Sequence, residues 1–433
     1  MHNEKRRTLL KLSGLAATAG VVPFNIIKAS PGRKINADTL KVGLVGCGGR
    51  GSGAANQALS ADPNVVLHAM GDLFEDKLKK SLENLEELHG EKAAVSPEHQ
   101  YVGFDAYKKV IDSGADVILL CTAPAFRPLH LEAAVEAGKH VFCEKPVAVD
   151  APGIRKVLES AKKAKEKNLN IISGFCWRFH EPKRAAFGRI NAGAIGKVST
   201  VYNTYNTGGT YRTWESENPH PESVEWQMRN WPFFTWLSGD HIVEQAVHSI
   251  DMMSWAFGDK LPVSATASGG RQVRVGPQNG NIYDHFAVTY EYPDGAKGFH
   301  VSRQQPGCAT SYAVEAWGTK GNALIDCSAA IHQINSNGKL WTYNGKQNDM
   351  YQTEHNELFA AIRKGKPINQ GEEVANSSMI AILGRMAAYT GKKITWEEAV
   401  NSAEMLGPDV TAYDMSQTLA VTPVPMPGVT PFK

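Results

Sequence analysis

A glycine-rich turn between a short apolar run and a helix-forming stretch constrains the fold of this chain more than any other feature. The apolar residues 40–45 lead directly into Gly46, Gly48 and Gly51, which are spaced as G-x-G-x-x-G. Gly46 permits a tight turn, Gly48 lets the backbone approach a pyrophosphate, and Gly51 lets the next helix pack against the strand. The phosphates would lie at the N-terminus of that helix, where backbone N–H groups attract anions. The pattern predicts the start of a doubly wound parallel sheet that binds a dinucleotide.

An acidic residue after the next apolar run indicates which dinucleotide is bound. Residues 65–70 are expected to form a second strand and are followed by Gly71 and Asp72. A carboxylate at this place accepts hydrogen bonds from ribose hydroxyls and repels a 2′-phosphate, so Asp72 favours NAD over NADP. Gly49 and Arg50, inside the glycine turn, are the further predicted cofactor contacts of this corner. A glycine-rich turn that binds no nucleotide is the alternative.

Two further apolar runs extend the predicted sheet. Residues 117–121 and 140–143 each follow a helix-forming stretch and are apolar in their interior, as strands buried on both faces should be. Ligands of such sheets bind beyond the carboxyl ends of the strands. Thr122 and Pro124, which follow the first run, are therefore predicted at the nicotinamide half of the site. Together the runs predict a Rossmann domain over residues 39–173.

The triplet Glu144-Lys145-Pro146 follows the second of these runs and is the strongest indication of chemistry. Its position places Glu144 and Lys145 at the rim that faces the cofactor. Near a cationic nicotinamide a lysine releases its proton more readily, and it can share a proton with a substrate hydroxyl while hydride leaves the same carbon. Taken alone, the triplet is equally compatible with a solvated turn before a proline.

The order of these elements resembles the glucose-fructose oxidoreductase and inositol dehydrogenase family, Gfo/Idh/MocA. The glycine turn, Asp72, the R-P-L-H segment that ends at His130 and the E-K-P triplet carry the resemblance, which runs from about Leu40 to about Thr390. The resemblance implies bound NAD with His130 among its contacts, catalysis by Lys145 and a carbohydrate substrate. It also implies a homo-oligomer formed through the exposed face of an open sheet.

The stretch DHIVEQAVHSIDMMSW carries a second family element. As one helix, it would place Asp240, Glu244, His248 and Asp251 along one face. The family's pattern is D-x-G-x-H-x-x-D, whose histidine and second aspartate contact substrate and assist proton transfer. The resemblance therefore assigns catalytic roles to His248 and Asp251 and a substrate contact to Glu244. Glu244 replaces the first aspartate of the pattern, and Ala246 replaces its glycine.

Proton transfer at this helix face would be shared by His248 and Lys145, with a neighbouring carboxylate fixing the tautomer of the imidazole. One alternative is an exposed face without chemistry. Another is a metal site formed by Asp240, Glu244, His241 and His248, although His241 points to a different face of the helix. We expect no metal, because the sequence contains no Cys pair or Cys/His cluster with the spacing of a zinc site.

Residues 202–236, which precede this element, are rich in aromatic and polar side chains. Aromatic faces stack on the CH patches of a sugar, while polar groups bind its hydroxyls. Tyr205, Arg229 and Trp231 are therefore the predicted substrate contacts, and a loop packed by its own aromatics is the alternative. Upstream, Arg178 takes the place of an N-x-R sequence that lies near the cofactor in the family, so the resemblance assigns Arg178 to the cofactor site.

Alternating apolar and polar residues from Pro262 to Tyr343 predict antiparallel strands separated by turns. The expected fold class is therefore an α/β Rossmann domain with a doubly wound parallel sheet, followed by an α+β domain. This second domain, residues 174–405, would carry a large, mostly antiparallel open sheet. Residues 406–433 are rich in proline and are expected to lie as an extended tail.

The first thirty residues, 1–30, resemble a twin-arginine export signal. Arg6 and Arg7 precede a weakly apolar run that is too short to span a membrane, and residues 31–38 form a linker. A disordered basic tail is the alternative. Export after folding predicts a periplasmic protein, membrane-tethered if the signal stays attached. Such a protein cannot draw on a diffusing NAD pool, so its cofactor must be bound tightly and reoxidised in place.

Charge balance excludes several classes of partner. The chain has 46 Lys and Arg against 44 Asp and Glu, a formal net charge of +2, so no overall field attracts it to nucleic acid or an anionic membrane. We expect an NAD-dependent oxidation of a secondary hydroxyl, at C3 of a sugar or glycoside. One alternative is a redox-neutral glycosidase resembling glycoside hydrolase family 109, in which oxidation at C3 acidifies the C2 proton. The other is an NAD-binding sensor without turnover.

Overall fold

Two β-sheets, one in each domain, organise the described part of the chain. The computed structural model describes residues 38–209, 214–215, 217–407 and 413–433. The predicted export signal, and all but the last residue of the predicted linker, lie outside the described residues.

The first sheet is parallel and is built from six strands. They are β1 (Leu40–Val45), β2 (Val65–Asp72), β3 (Gln100–Val102), β4 (Val117–Leu120), β5 (His140–Cys143) and β6 (Ile171–Ser173). The helices along this part of the chain are α1 (Gly49–Ala61), α2 (Glu75–His89), α3 (Ala106–Asp112), α4 (Arg127–Glu136) and α5 (Ala151–Glu166). The strand order is β3-β2-β1-β4-β5-β6, which is the doubly wound Rossmann order.

Alternate residues of the central strands enter two different apolar clusters. In β4, Ile118 and Leu120 belong to one cluster, whereas Val117 and Leu119 belong to the other. The sheet is therefore buried on both faces, which explains why its strands are continuously apolar in sequence. The chain order reverses between β1 and β4, so the carboxyl ends of these strands flank the crevice in which such sheets bind ligands.

The second sheet has nine strands. They are β7 (Val198–Thr207), β8 (Ser264–Gly270), β9 (His285–Glu291), β10 (Lys297–Gln304), β11 (Ala313–Gly318), β12 (Gly321–Asp326), β13 (Ile331–Ser336), β14 (Lys339–Thr342) and β15 (Ile394–Thr395). Their order is β14-β13-β12-β11-β7-β10-β9-β8-β15. The pair β7 and β10 is parallel, and the other neighbouring pairs are antiparallel. The predicted fold class is confirmed, although the sequence pattern did not predict the central strand β7.

Helices cover one face of this second sheet. The helices of the second domain are α6 (Glu181–Asn191), α7 (Val224–Arg229), α8 (Thr235–Ser238), α9 (His241–Glu244), α10 (Val247–Ala256), α11 (Met350–Lys364), α12 (Gly371–Thr390) and α13 (Trp396–Asn401). Helices α10 and α12 pack on the sheet. On the opposite face, the side chains of Phe299 and Trp317 are exposed. Among the described residues, no helix combines the length and the apolar character needed to cross a membrane.

Candidate active site

A cavity of about 570 Å³ lies along the carboxyl edge of the parallel sheet and is completed by residues of the second domain. This volume is within the usual range for small-molecule sites. The predicted site residues that line it are Gly46, Gly48, Gly49, Arg50, Gly51, Asp72, Thr122, His130, Glu144, Lys145, Arg229, Trp231, Glu244 and His248. Most of the side chains selected from the sequence therefore share one cavity.

The glycine turn forms a cradle that no other residue type could reproduce. Gly46 has a φ of 95°, and a Cβ on Gly51 would lie 1.8 Å from the carbonyl oxygen of Gly46. A Cβ on Gly48 would meet no protein atom within 4 Å and would project into open space. Helix α1 begins here with no side-chain cap and no acid in its first turn. Its free N–H groups and the open space beside Gly48 fit the pyrophosphate of a dinucleotide.

Asp72 is fixed at one end of the cavity by two backbone hydrogen bonds. Its carboxylate accepts hydrogen bonds from the N–H of Cys47 at 2.6 Å and from the N–H of Phe74 at 2.8 Å. Burial raises the pKa of Asp72. The carboxylate is thus held where the ribose hydroxyls of a dinucleotide are bound, which locates the adenosine half at the β2 side of the cavity.

Arg50, whose side chain is 31% exposed, forms ion pairs with two buried carboxylates at the cavity floor. Nε of Arg50 donates to Oε1 of Glu144 at 2.5 Å, and a terminal nitrogen donates to Oε1 of Glu354 at 2.6 Å. The guanidinium also lies 4.9 Å from the ring centre of Tyr351. Burial raises the pKa of Glu354 well above its ordinary value. Sequence reasoning missed Glu354 and Tyr351, since they are about 300 residues from Arg50 along the chain.

Lys145 connects the Rossmann domain to the second domain. Its Nζ donates to the backbone carbonyl of Glu244 at 2.5 Å and lies 3.2 Å from Oε1 of the same residue. His248 lies in the cavity wall near this pair, with its ring centre 5.0 Å from that of Trp177. Burial, together with the positive charges of Lys145 and Arg50, holds the pKa of His248 well below its ordinary value. The imidazole is therefore neutral at neutral pH.

Comparison with known proteins identifies the family to which the two halves of the chain are similar. Residues 40–171 match the Gfo/Idh/MocA model described as "Oxidoreductase family, NAD-binding Rossmann fold", and residues 184–324 match the Gfo/Idh/MocA C-terminal domain. The chain belongs to the Gfo/Idh/MocA oxidoreductase family. It therefore carries an NAD-binding Rossmann domain, and its enzyme class is that of an NAD-dependent oxidoreductase.

Relatives of this family span most of the chain. Myo-inositol 2-dehydrogenase of Thermotoga maritima is 23% identical over 376 residues, which cover 85% of this chain and 100% of the relative. The structure of levoglucosan dehydrogenase with NADH and levoglucosan aligns with a TM-score of 0.66 at 18% identity, over 83% of this chain and 99% of its own. Aldose-aldose oxidoreductase of Caulobacter crescentus aligns with a TM-score of 0.64 at 20% identity, over 82% and 99%. These structures support the same fold.

The Gfo/Idh/MocA element at residues 240–255 is not one helix, which corrects the sequence prediction. Helix α9 ends at Glu244, and α10 begins at Val247. Asp240 is buried before α9, where its carboxylate accepts hydrogen bonds from the N–H of Tyr283 at 2.7 Å and the hydroxyl of Tyr389 at 2.5 Å. Of the four polar residues predicted on one helix face, Glu244 and His248 line the cavity, whereas Asp240 and Asp251 do not.

Arg178 and Asp251 do not line the cavity, in contrast to their predicted positions in the site. Both oxygens of Asp251 accept hydrogen bonds from Arg178 at 2.8–3.0 Å, and its Oδ1 also accepts one from Ser377 at 2.7 Å. Arg178 donates in addition to Asp259 at 2.6 Å. The pair is buried behind the site. Its hydrogen bonds connect Arg178, at the start of the second domain, with Asp251 on α10, which is bound in turn to Ser377 on α12.

Three further predicted site residues lie away from the centre of the cavity. Pro124 begins a buried turn and does not line the cavity. Tyr205 lies on β7 with its ring 6.3 Å from Trp177, and it is also outside the lining. Arg229 lies over the loop after β2, next to Phe74, and so at the adenosine end rather than at Lys145.

No carboxylate among the described residues is hydrogen-bonded to Nδ1 of His248, where one could fix the tautomer as predicted. Its Nδ1 is buried and has no hydrogen-bond partner among the described residues. At the other predicted histidine, Nδ1 of His130 lies 3.3 Å from the Thr122 hydroxyl, and burial lowers the pKa of His130 to about 3. Arg127, which sequence reasoning missed, donates to the carbonyl oxygens of Thr122 at 2.7 Å and Pro146 at 2.6 Å, so it ties two cavity loops together.

The described residues contain no group of three or more His, Cys, Asp or Glu side chains arranged to hold a metal ion. Of the predicted alternative metal ligands, His241 is buried with Nδ1 3.2 Å from the Tyr283 carbonyl oxygen and Nε2 3.3 Å from the Ser302 hydroxyl. Asp240 is likewise bound to backbone and tyrosine groups. These partners separate both residues from the cavity.

Proposed function

We propose that this protein uses tightly bound NAD to oxidise a secondary hydroxyl, at C3, of a sugar or glycoside. The observation that carries the proposal is the pairing of Lys145 with Glu244 beside the neutral imidazole of His248. This group lies on the nicotinamide side of the cavity, since Asp72 marks the adenosine side. The relatives are named as dehydrogenases or oxidoreductases of inositol, levoglucosan and aldoses. These names support a polyhydroxylated substrate for this protein.

The residues at this end of the cavity provide the proton chemistry that alcohol oxidation requires. Bound NAD would accept the hydride. The Lys145 ammonium is oriented by both oxygens that Glu244 offers, and its remaining N–H can bind the substrate hydroxyl and stabilise negative charge on the oxygen. Neutral His248 lines the cavity and can accept a hydrogen bond from the substrate hydroxyl. Because its lowered pKa disfavours the charged form, it would take up the hydroxyl proton only as the hydride leaves the same carbon.

The same proposal includes export and assembly. A twin-arginine signal over residues 1–30 would deliver the folded protein, with its cofactor, to the periplasm. A homo-oligomer would form through the uncovered face of the second sheet, where Phe299 and Trp317 are exposed. Subunit mass in solution, with Trp317→Lys as the disrupting variant and Lys165→Met on the exposed side of α5 as the control, tests the assembly.

The test of activity follows cofactor and product together. Protein purified without added cofactor is mixed with monosaccharides, disaccharides and aryl glycosides while the absorbance of reduced nicotinamide is recorded. A lasting rise with a keto sugar whose glycosidic bond is intact supports the dehydrogenase. Release of the aglycone without a lasting rise would instead establish the redox-neutral glycosidase.

A variant of Lys145 separates an enzyme from a sensor. Lys145→Met should lower turnover by about 10²–10⁴-fold, the usual contribution of acid–base catalysis, while retaining bound NAD. Lys165→Met is the matched control and should react like the parent protein. If no carbohydrate in the panel reduces bound NAD and none loses its aglycone in either protein, the oxidoreductase proposal is wrong and the sensor interpretation gains support.

A further inference from the structure

Residues of the second domain cover the adenosine end of the cofactor cavity. Met228, Arg229 and Trp231 line the cavity together with residues of the Rossmann loops, including Phe74 and Phe104. The Rossmann loops in question follow β2 and β3, on the same side as Asp72. An open Rossmann crevice would leave this end to solvent, so the covering segment adds a wall that the Rossmann domain itself does not supply.

Arg229 joins this segment to the Rossmann domain. Its guanidinium lies 3.9 Å from the ring centre of Phe74, and its two terminal nitrogens donate to the carboxylate of Asp76 at 3.1 and 3.2 Å. Nε donates to Glu225 at 2.9 Å, which orients the side chain from its own helix. The Arg229 side chain is 15% exposed and that of Asp76 is 59% exposed. The contact therefore bridges the domains at the mouth of the cavity.

An apolar cluster anchors the covering segment from behind. Its buried members from this segment are Val224, Trp226, Met228, Phe233, Phe234, Trp236 and Leu237. Rossmann-loop residues pack against the same cluster, among them Leu73, Phe104 and Phe126. Loop residues that follow β2, β3 and β4 therefore share one apolar core with residues 224–237. This shared core opposes movement of residues 224–237 away from the Rossmann domain.

The C-terminal tail fastens the segment further. The N–H of Val224 donates to the Gln417 carbonyl at 3.2 Å, and the N–H of Leu419 donates to the Glu222 carbonyl at 2.7 Å. The ring of Tyr413 lies 6.1 Å from that of Phe104, across the domain boundary. The tail passes over the segment and contacts the Rossmann domain as well.

Beyond this point the tail is attached to the body of the second domain. The hydroxyl of Tyr283 donates to the carbonyl of Pro425 at 2.7 Å, and the N–H of Gly428 donates to the carbonyl of Thr390 at 2.9 Å. Residues 413–433 contain no helix or strand, so these contacts and the apolar cluster determine where they lie.

We propose that residues 224–237, held by the tail, form a roof that binds the adenosine half of NAD and sets the rate at which the cofactor leaves. The inference rests on the tight cofactor binding of the proposed function, but not on the identity of the substrate. With the roof in place, the adenosine cannot leave until the Arg229–Asp76 contact opens. Both release and uptake of NAD are therefore slow, and a single cofactor molecule serves many turnovers.

The test measures cofactor release without any substrate. Protein loaded with NADH is mixed with excess NAD, and the loss of bound NADH fluorescence gives the dissociation rate. Arg229→Met removes the charge but keeps the length of the side chain, and Asp76→Asn alters only the exposed partner. Arg229→Met removes both the ion pair with Asp76 and the cation–π contact with Phe74, whereas Asp76→Asn removes only the ion pair. Each variant should release NADH about tenfold faster. The double variant should be no faster than the faster single variant, since both act on one contact.

Glu75→Gln is the matched control, because Glu75 is next to Asp76 on α2 and its ion-pair partner within the described part of the chain is the exposed Lys79. It should change the release rate by less than about twofold. A second readout uses fragments: Arg229→Met should weaken the binding of ADP-ribose but leave that of nicotinamide mononucleotide unchanged.

The outcomes separate this inference from the proposed function. An unchanged NADH release rate in both Arg229→Met and Asp76→Asn would overturn the roof and leave the oxidoreductase proposal intact. An equal acceleration in Glu75→Gln would do the same. If the parent protein binds no NADH, both the roof and the proposed tight cofactor binding are wrong. Asp76→Asn keeps the test valid if Arg229→Met proves unstable, because Asp76 is largely exposed.

Discussion

Replacing Gly174 by alanine should disturb the cavity floor through one added methyl group. A Cβ on Gly174 would lie 2.5–2.6 Å from the three carboxylate atoms of Glu144. Ordinary contact requires about 3.5 Å, so the carboxylate would have to retreat by about 1 Å. That movement would lengthen the 2.5 Å hydrogen bond between Arg50 and Glu144 to about 3.5 Å, which weakens it severely.

The magnitude follows from burial. Removing one partner of a buried ion pair costs about 3–5 kcal/mol. Arg50 keeps its second carboxylate, Glu354, so we expect a loss of about 2–3 kcal/mol in the free energy of unfolding. This corresponds to a fall in melting temperature of about 4–12 °C for a domain of this size. Affinity for NADH should fall as well, because Gly174 and Glu144 both line the cavity.

Thermal unfolding and NADH titration measure the two effects. Gly188→Ala is the control, since a Cβ at this exposed position in α6 would meet no atom within 4 Å. It should stabilise the protein by about 0.4–1 kcal/mol, because alanine lowers the conformational entropy of the unfolded chain. The reasoning fails if Gly174→Ala melts at the same temperature as Gly188→Ala and binds NADH as tightly as the parent.

Two further predictions concern cofactor choice and pH. Asp72→Ala should reduce the preference for NAD over NADP, since it removes the carboxylate that repels a 2′-phosphate; an unchanged ratio of the two affinities would refute this assignment. Glu373 lies on α12 beside Arg178, and burial raises its pKa to about 7, above the value in the unfolded chain. Between these two pKa values the folded state therefore binds more protons than the unfolded state. The free energy of unfolding should fall as pH rises toward about 7. In Glu373→Gln this part of the pH dependence of the melting temperature should disappear, and a profile identical to the parent would show that Glu373 does not titrate there.

The Rossmann half of the fold could be predicted because its signals are local. The runs 40–45 and 140–143 coincide with β1 and β5 as the structure has them. Asp72 reaches the glycine turn because β1 and β2 are adjacent parallel strands whose carboxyl ends meet, and its carboxylate binds the N–H of Cys47 inside that turn. A strand, a turn and an acid at a fixed spacing specify this arrangement before any long-range packing is known.

The second domain was less predictable where packing overrides local pattern. The periodicity at residues 240–255 is helical, but the buried hydrogen bonds of Asp240 to Tyr283 and Tyr389 fix the chain before α9, and the helix breaks after Glu244. Strand β7 was missed although its Val, Thr and Tyr residues are typical of strands, because its second half was assigned to the aromatic and polar stretch 202–236. Arg178 and Asp251 have residue types suited to a site, yet they neutralise each other behind it.

The sequence by itself determined the dinucleotide-binding turn, its acid and the E-K-P triplet, since each depends on residues close together in the chain. Only the tertiary structure decided how these parts are completed. Lys145 meets Glu244 across 99 residues, Arg229 meets Asp76 across 153, and Arg50 meets Glu354 across 304. All three pairs form because domain packing brings distant charges together. Glu244 and Glu354 are buried, so each of these carboxylates needs a partner, whereas Asp76 is exposed and pairs at the surface. No local pattern specifies which distant residue that partner will be.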